Sequence, residues 1–221
     1  MRNAVIIVAG GSGKRMGSNT PKQFLPLSGK PVLMYSIELF AKAIPGIRII
    51  VVLPENQLIT WQDLCATYDF NINHELIGGG PRRFHSVKQG LSRLRDEQLV
   101  AIHDGVRPLV SHDTIQKAFY EAGIYGNAIP CLKVKESIRE ISGSISKPLD
   151  RNKIRSIQTP QVFRCDKILK AYRQQYREEF TDDATVLEHM GESIHLFEGN
   201  PENVKLTTPL DLKFAETVLR R

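Results

Sequence analysis

Short apolar segments rich in valine and isoleucine recur along the chain, separated by stretches with the apolar spacing of a helix. These segments cover residues 4–9, 47–53, 99–103 and 127–132. A strand that is apolar on both faces must be covered on both, as in a parallel sheet flanked by helices. The alternation therefore predicts βαβ units in a three-layer, doubly wound α/β fold with a mostly parallel, Rossmann-like sheet.

The intervening helices are predicted from aliphatic and aromatic residues spaced three or four apart. They cover residues 32–41, 55–68, 82–95, 113–123, 166–176 and 209–219. Pro31 stands in the favoured first-turn position of the first of them. Since none of these segments resembles a linker, we expect one domain over residues 1–221.

Residues 134–146 break this rhythm. Three isoleucines surround a Ser-Gly-Ser sequence at residues 142–144, which predicts a β-hairpin with a glycine turn. A two-stranded ribbon is marginally stable alone, so we expect this arm, at about residues 133–156, to pack against a second subunit of a homodimer.

Composition and charge narrow the class of protein. The 221 residues include 41% hydrophobic and 24% charged side chains, which excludes intrinsic disorder. The longest apolar run spans six residues, against the roughly 20 of a membrane helix, and no secretory cleavage pattern follows it. Cys65, Cys131 and Cys165 are widely spaced without a CxxC pair, so we expect the protein to lie in a reducing cytoplasm.

The formal charge of +6 indicates anionic partners. Because the basic residues are scattered between glycine-rich turns, small phosphates are favoured over nucleic acid or membrane.

The glycine-rich segment 8–17 directly follows the first predicted strand. Its glycines let the backbone turn sharply and bring amide N–H groups toward an anion, and Lys14 and Arg15 add positive charge. The Walker A pattern fails, because Val8 stands where it requires a glycine and neither serine nor threonine follows Lys14. The dinucleotide fingerprint G-x-G-x-x-G fails as well. It requires the third glycine three residues after the second, whereas Gly17 stands four residues after Gly13. A phosphate cradle and a merely tight turn with solvated basic residues both stay open.

Two further segments carry candidate nucleotide contacts. Lys22 lies between Pro21 and an apolar anchor, which favours a cation held in a fixed direction over a solvated lysine. In residues 77–87, glycines again lead into a predicted helix, where their backbone groups and the Ser86 hydroxyl can read a base edge or ribose. Arg83 in that segment is alternatively ordinary charge on a helix surface.

An acid and an arginine stand at the end of the strand 99–103. Ligands of open α/β sheets bind at the carboxyl ends of strands, so Asp104 is expected to approach a metal-phosphate or a sugar hydroxyl, with Arg107 for a second anion. The alternative is a local ion pair between the two. His103 is expected to orient a neighbour or merely to pack. The sequence contains neither HExxH nor a metal triad.

Four polar segments complete the set. They cover residues 149–152, 158–163, 181–184 and 203–207. We interpret Thr181 as a helix cap, with Asp182 and Asp183 favouring the positive end of that helix. Arg151 and Lys205 are two cations beyond the glycine loop, and they indicate a second phosphate.

In this order the motifs resemble the nucleotidyltransferases of the glycosyltransferase-A-like group, and within it the 2-C-methyl-D-erythritol 4-phosphate cytidylyltransferase family of the non-mevalonate isoprenoid pathway. The resemblance runs from Val5 to about Phe214, nearly the whole chain. Its motifs are AGGSGKRMG, PKQF, GG with Ser86, HDGVRP, DRN, QTPQVF, TDDA and ENVKLTTPLDL. The chain departs from the commonest pattern at Gly10, at Gly105-Val106 and at Ser137, where many relatives have alanine, two alanines and threonine.

The resemblance implies transfer of CMP from CTP to 2-C-methyl-D-erythritol 4-phosphate, with Mg²⁺ or another divalent cation as cofactor and pyrophosphate as product. Arg15 and Lys22 would be the catalytic residues, stabilising charge on the five-coordinate phosphorus. The CTP contacts that it implies are Ala9, Gly10, Gly11, Gly13, Lys14, Gly79, Gly80, Ser86, Asp104 and Gly105. The substrate contacts that it implies are Asp104, Arg107, Ser137, Arg151, Thr159 and Lys205. The arm around Ser137 would exchange with a partner subunit, and Arg151 would then act across the dimer interface. It leaves the metal ligands open.

Two other functions stay open. Ribitol-5-phosphate cytidylyltransferases are similar through the glycine loop, Lys22, Arg107 and the ENVKLTTPLDL motif, but the DRN and TDDA motifs favour the methylerythritol family. A nucleotide- or RNA-binding module without turnover is the alternative from another class. Two cations directed at one phosphorus argue against it, because binding alone does not require them.

Overall fold

The computed structural model describes residues 2–11, 16–18 and 20–220. The strands in these ranges are β1 (Asn3–Val8), β2 (Pro26–Leu27), β3 (Lys30–Pro31), β4 (Arg48–Leu53), β5 (Glu75–Gly78), β6 (Leu99–Asp104), β7 (Asn127–Lys133), β8 (Ile138–Ser142), β9 (Ile145–Leu149), β10 (Arg155–Ile157), β11 (Gln161–Arg164) and β12 (Leu196–Glu198). The helices are α1 (Val32–Ala43), α2 (Leu58–Thr67), α3 (Arg83–Leu91), α4 (His112–Tyr125), α5 (Cys165–Ala171), α6 (Asp183–Glu188) and α7 (Pro209–Leu219). Short 3-10 turns cover Lys22–Phe24, Glu55–Gln57 and Arg151–Lys153.

The central sheet of the described residues has the order β10-β7-β11-β6-β1-β4-β5, with β12 paired to β7. Strand β1 runs parallel to β4 and β6, and β4 runs parallel to β5. The mostly parallel sheet is therefore confirmed. Strand β11 inserts antiparallel between β6 and β7, and the sequence did not predict it. Its four residues are too few to show a hydrophobic period.

Both faces of this sheet are covered. Along β1, Val5 and Ile7 pack into one apolar cluster, which includes residues of α1 and α4. Ala4 and Ile6 point the other way, into a second cluster that includes residues of α3 and α5. Complete burial of each such valine or isoleucine contributes about 1.5–3 kcal/mol. The predicted three-layer architecture is confirmed.

The helices agree with the sequence patterns except at their ends. Helix α7 has the predicted bounds and begins with a capping box between Thr208 and Asp211. Pro31 is the N-cap of α1 rather than a first-turn residue. The predicted helix 166–176 ends at Ala171, whose carbonyl accepts a hydrogen bond from Gln174 Nε2 at 2.9 Å. Of the helices in the described ranges, none has the length and apolar character needed to cross a membrane.

The predicted hairpin is confirmed. Strands β8 and β9 pair antiparallel with each other and, within the described ranges, with no strand of the central sheet. Gly143 lies in the turn with φ +59°, a conformation that favours glycine. Ile141 and Ile145 on this arm are 67% and 60% exposed. The arm therefore presents apolar side chains to solvent in the single chain.

Candidate active site

A cavity of about 270 Å³ lies at the carboxyl ends of β1, β4, β5 and β6. Parallel pairing brings these ends to one edge of the sheet, which is where ligands of open α/β sheets bind. Nine of the residues predicted for the site line this cavity: Ala9, Gly10, Gly11, Lys22, Gly79, Gly80, Ser86, Asp104 and Lys205.

The glycine-rich opening is described only in part. Ala9 N donates to Val52 O at 3.0 Å and so fixes the start of the turn that follows β1. Gly10 and Gly11 are exposed on the cavity wall. Gly13, Lys14 and Arg15 lie outside the described residues, so their predicted roles in CTP binding and catalysis stay predictions.

The turn from β5 into α3 forms the opposite wall. Gly79 N donates to Leu53 O at 2.7 Å, and Gly80 N donates to Ser86 Oγ at 3.1 Å. A Cβ atom on Gly80 would overlap Cβ of His85, so only glycine fits this close approach. Ser86 thereby holds the glycine backbone at the cavity edge, in addition to being a candidate ligand contact.

Lys22 is held by its neighbours in the 3-10 turn. Phe24 stacks on the buried ring of Trp61 with centroids 6.0 Å apart, and the buried Gln23 donates to Gln57 Oε1 at 2.6 Å. Lys22 Nζ itself donates to Leu206 O at 3.4 Å, and its side chain lines the cavity. The two residues that follow Lys22 are therefore packed, as the predicted apolar anchor requires.

The carboxylate of Asp104 lines the cavity, and three cations surround it. Arg83 Nε lies 3.5 Å from Oδ1, while Lys205 Nζ and Arg107 Nε lie 3.1 and 3.3 Å from Oδ2. Burial alone would raise the pKa of Asp104, but these three charges outweigh it and hold the pKa well below its usual range. Asp104 therefore stays ionised, and the predicted pairing with Arg107 is one part of a larger cluster.

Arg83 also forms a second ion pair, with Asp183. Its Nη1 and Nη2 donate to the two oxygens of Asp183 at 2.9 and 2.6 Å, and Tyr172 Oη donates to Oδ1 at 2.5 Å. Burial opposes the charge of Arg83, but Asp183 and Asp104 outweigh it and raise its pKa. The interpretation of Arg83 as ordinary surface charge is wrong, because its guanidinium bridges two buried carboxylates beside the cavity.

The helix that follows is capped one residue later than expected. Asp182, rather than Thr181, is the N-cap of α6, with Oδ1 accepting from Thr185 N at 2.9 Å. Asp183 stands in the first turn, as predicted. Its pairing with a residue 100 positions away had no signal in the sequence.

Three predicted contacts lie beside the cavity instead of lining it. Arg107 Nη1 donates to Asn203 O at 2.7 Å, and Gly105 O accepts from Ser36 Oγ at 3.2 Å. Thr159 is 5% exposed. These side chains and backbone groups contribute to the arrangement around Asp104 rather than to the cavity surface.

Ser137 and Arg151 lie at the base of the arm, away from this cavity. Ser137 is exposed in the loop before β8. Arg151 Nη1 donates to Lys135 O at 2.5 Å and lines a separate cavity of about 470 Å³, together with Lys133 and Arg155. The single chain therefore does not bring these two residues to the other predicted contacts.

The donor set bears on the implied divalent cation. Within residues 2–11, 16–18 and 20–220, no three His, Cys, Asp or Glu side chains come together as a metal site. The carboxylate of Asp104 already faces three cations. Such a site fits an ion that is coordinated mainly by ligand phosphates and water.

Six lining residues were not among the predicted contacts, and Pro54, Pro81 and Val106 are three of them. Pro54 directly follows β4, Pro81 lies in the turn after β5 and Val106 lies in the loop after β6. The rule that parallel strands carry ligands at their carboxyl ends would have identified them.

Fold and cavity together define an α/β enzyme of the nucleotidyltransferase class, in which glycine turns and cations meet at the parallel strand ends. The family model for 2-C-methyl-D-erythritol 4-phosphate cytidylyltransferase (IspD) matches residues 3–221. The chain belongs to this family.

The similarity to known proteins extends over nearly the whole chain. The chain is similar to the 2-C-methyl-D-erythritol 4-phosphate cytidylyltransferase of Phocaeicola vulgatus, with 48% identity over 219 residues that cover 99% of this chain and 100% of that protein. Its fold is similar to the 4-diphosphocytidyl-2C-methyl-D-erythritol synthase of Anaerococcus prevotii, with a TM-score of 0.84, 26% identity and coverage of 100% and 96%. It is similar to the 2-C-methyl-D-erythritol 4-phosphate cytidylyltransferase of Thermus thermophilus, with a TM-score of 0.81, 26% identity and full coverage of both chains.

Proposed function

We propose that this chain transfers CMP from CTP to 2-C-methyl-D-erythritol 4-phosphate, which gives 4-diphosphocytidyl-2-C-methyl-D-erythritol and pyrophosphate for isoprenoid synthesis. Family membership over nearly the whole chain supports this reaction. The observation that carries the proposal is the cavity itself, where glycine turns and the ammonium groups of Lys22 and Lys205 face one space at the strand ends.

The chemistry requires positioning and positive charge, and no protein nucleophile. The phosphate of the acceptor attacks the α-phosphorus of CTP in line and expels pyrophosphate. Lys22, held by its packed neighbours, and Arg15 stabilise the charge that develops on the five-coordinate phosphorus. Gly10, Gly11, Gly13 and Lys14 hold the triphosphate through backbone N–H groups and charge.

The two substrates take opposite sides of Asp104. The turn with Gly79, Gly80 and Ser86 contacts the cytosine and ribose, and its place on the cavity wall supports that role. Lys205 and Arg107 hold the acceptor phosphate, with Thr159 nearby. A divalent cation such as Mg²⁺ would be held mainly by phosphate oxygens of the ligands, and it would supply positive charge to the triphosphate.

A homodimer through the arm completes the acceptor site. The exposed apolar side chains of Ile141 and Ile145 support an arm that packs against a second copy. In that assembly Ser137 and Arg151 reach the site of the other subunit.

Residues 1–221 form one domain. The unpaired thiols of the three cysteines support a cytoplasmic location.

Pyrophosphate release from CTP tests the function. With Mg²⁺ present, we expect release only when methylerythritol phosphate is supplied. Equal or faster release with ribitol 5-phosphate would move the chain to the ribitol enzymes. RNA binding without release from either acceptor would favour a binding module.

A further inference from the structure

His103 is the one fully buried histidine of the described residues, and the mechanism above does not use it. It precedes Asp104 on β6, and its ring packs against the edge of Phe40 with centroids 5.0 Å apart. Nδ1 lies 3.1 Å from Thr159 Oγ1, and Nε2 lies 3.2 Å from Arg107 O. Both ring nitrogens therefore contact residues of the predicted acceptor site.

The partners determine where the proton of the ring lies. A carbonyl oxygen only accepts, so Nε2 must carry the proton that it donates to Arg107 O. Burial is the main cause that lowers the pKa of His103 to about 3. The charge of Asp104 raises this pKa, while the charges of Arg107 and Arg83 lower it further. The ring is therefore neutral and Nδ1 is an acceptor. It follows that the hydroxyl of Thr159 donates to Nδ1.

These contacts form a closed circuit of hydrogen bonds around Asp104. Asp104 N donates to Thr159 Oγ1 at 3.1 Å, and Thr159 donates to His103. His103 donates to Arg107 O, and Arg107 Nε donates to Asp104 Oδ2 at 3.3 Å. The circuit holds both the backbone and the carboxylate of Asp104 at the cavity.

We propose that His103 is a positioning residue of the acceptor-substrate site, acting through Thr159 and Arg107. The proposal rests on the proposed function. It has one consequence for Thr159: Oγ1 accepts from Asp104 N and its proton is committed to His103, so this buried hydroxyl acts by fixing Asp104 at the cavity.

Kinetics of paired variants test the positioning role. Thr159→Val leaves Asp104 N and His103 Nδ1 without partners. We expect roughly a tenfold to hundredfold loss of kcat/KM for the polyol phosphate, since each unpaired buried group carries a substantial penalty. Thr159→Ser keeps the hydroxyl and should stay within about threefold of the wild type. His103→Leu should show a loss of kcat/KM similar to that of Thr159→Val.

Phe40→Leu is the matched control, because it loosens the packing around the same ring without removing a hydrogen bond. We expect it to lower the melting temperature while kcat/KM stays within about threefold of the wild type. Wild-type kinetics in Thr159→Val, or equal losses in Phe40→Leu and His103→Leu, would overturn the proposal.

A readout without turnover separates this proposal from the proposed function. In ¹⁵N NMR of the wild type at pH 7, we expect His103 to be neutral with its proton on Nε2. A proton on Nδ1 would overturn the circuit even if the enzyme is active. A correct tautomer in a protein that transfers no cytidylyl group would instead refute the function and leave the circuit intact.

Discussion

The burial of His103 predicts how the stability of the protein depends on pH. Its pKa is about 3 in the folded chain against an ordinary value of 6.5. The unfolded chain binds a proton at this residue below pH 6.5, and the folded chain does not until about pH 3. The contribution of the neutral His103 to the unfolding free energy is therefore complete above pH 6.5, and it is lost as the pH falls from 6.5 toward 3.

The size follows from these two values. Linkage gives only a small cost at pH 7 and a cost of about 2 kcal/mol at pH 5 for this single group. His103→Gln removes the titration but leaves every other group in place. The difference in unfolding free energy between the wild type and His103→Gln should therefore shrink by about 2 kcal/mol between pH 7 and pH 5.

Urea denaturation at pH 7, 6 and 5 measures this difference directly. Phe40→Leu is the control, because it weakens the core and keeps the histidine, so its difference from the wild type should stay nearly constant over the same range. A difference between the wild type and His103→Gln that does not change with pH would refute the reasoning, because His103 would then titrate alike in the folded and unfolded chains.

Three further predictions concern other contacts. Asp183→Asn removes the charge opposite Arg83 and should lower the unfolding free energy by about 2–3 kcal/mol. The loss is smaller than for a fully buried pair because Arg83 is partly exposed. Denaturant titration measures the unfolding free energy, and an unchanged value would contradict the bridging role of Arg83. Lys22→Ala should lower kcat by roughly 10²-fold or more while CTP still binds, measured by steady-state kinetics and calorimetry, and wild-type turnover would remove Lys22 from the mechanism. Ile141→Ser with Ile145→Ser should shift a dimer toward monomer in analytical ultracentrifugation, whereas an unchanged dimer would mean that these side chains are not in the interface.

The sheet could be predicted because its strands leave a strong local signal. Strands such as β1 are buried on both faces, so nearly every position is apolar and the run is visible without any partner. Strand β11 gave no such signal, because four residues between polar neighbours show no period. The hairpin was visible through its glycine turn, but the sequence alone does not show what covers its isoleucines.

The candidate site was predictable where residues follow the strand ends, as for Gly79 and Asp104. The contacts of Arg83 were not, because Asp183 lies 100 residues away and only the packing of α6 against the sheet brings it near. For Arg107 the sequence left a ligand anion and an ion pair with Asp104 open; the guanidinium does pair with Asp104, but its second contact, with Asn203 O, had no signal in the sequence. Such directions depend on tertiary contacts that no local pattern contains.

The fate of the phosphorus atoms of CTP tests the central claim most directly. The purified protein is incubated with Mg²⁺, methylerythritol phosphate and CTP that is radiolabelled at either the α or the γ position. Attack on the α-phosphorus predicts that the α label appears in the cytidylylated polyol and the γ label in pyrophosphate. Transfer of the γ label to the polyol, or no labelled polyol at all, would contradict the account.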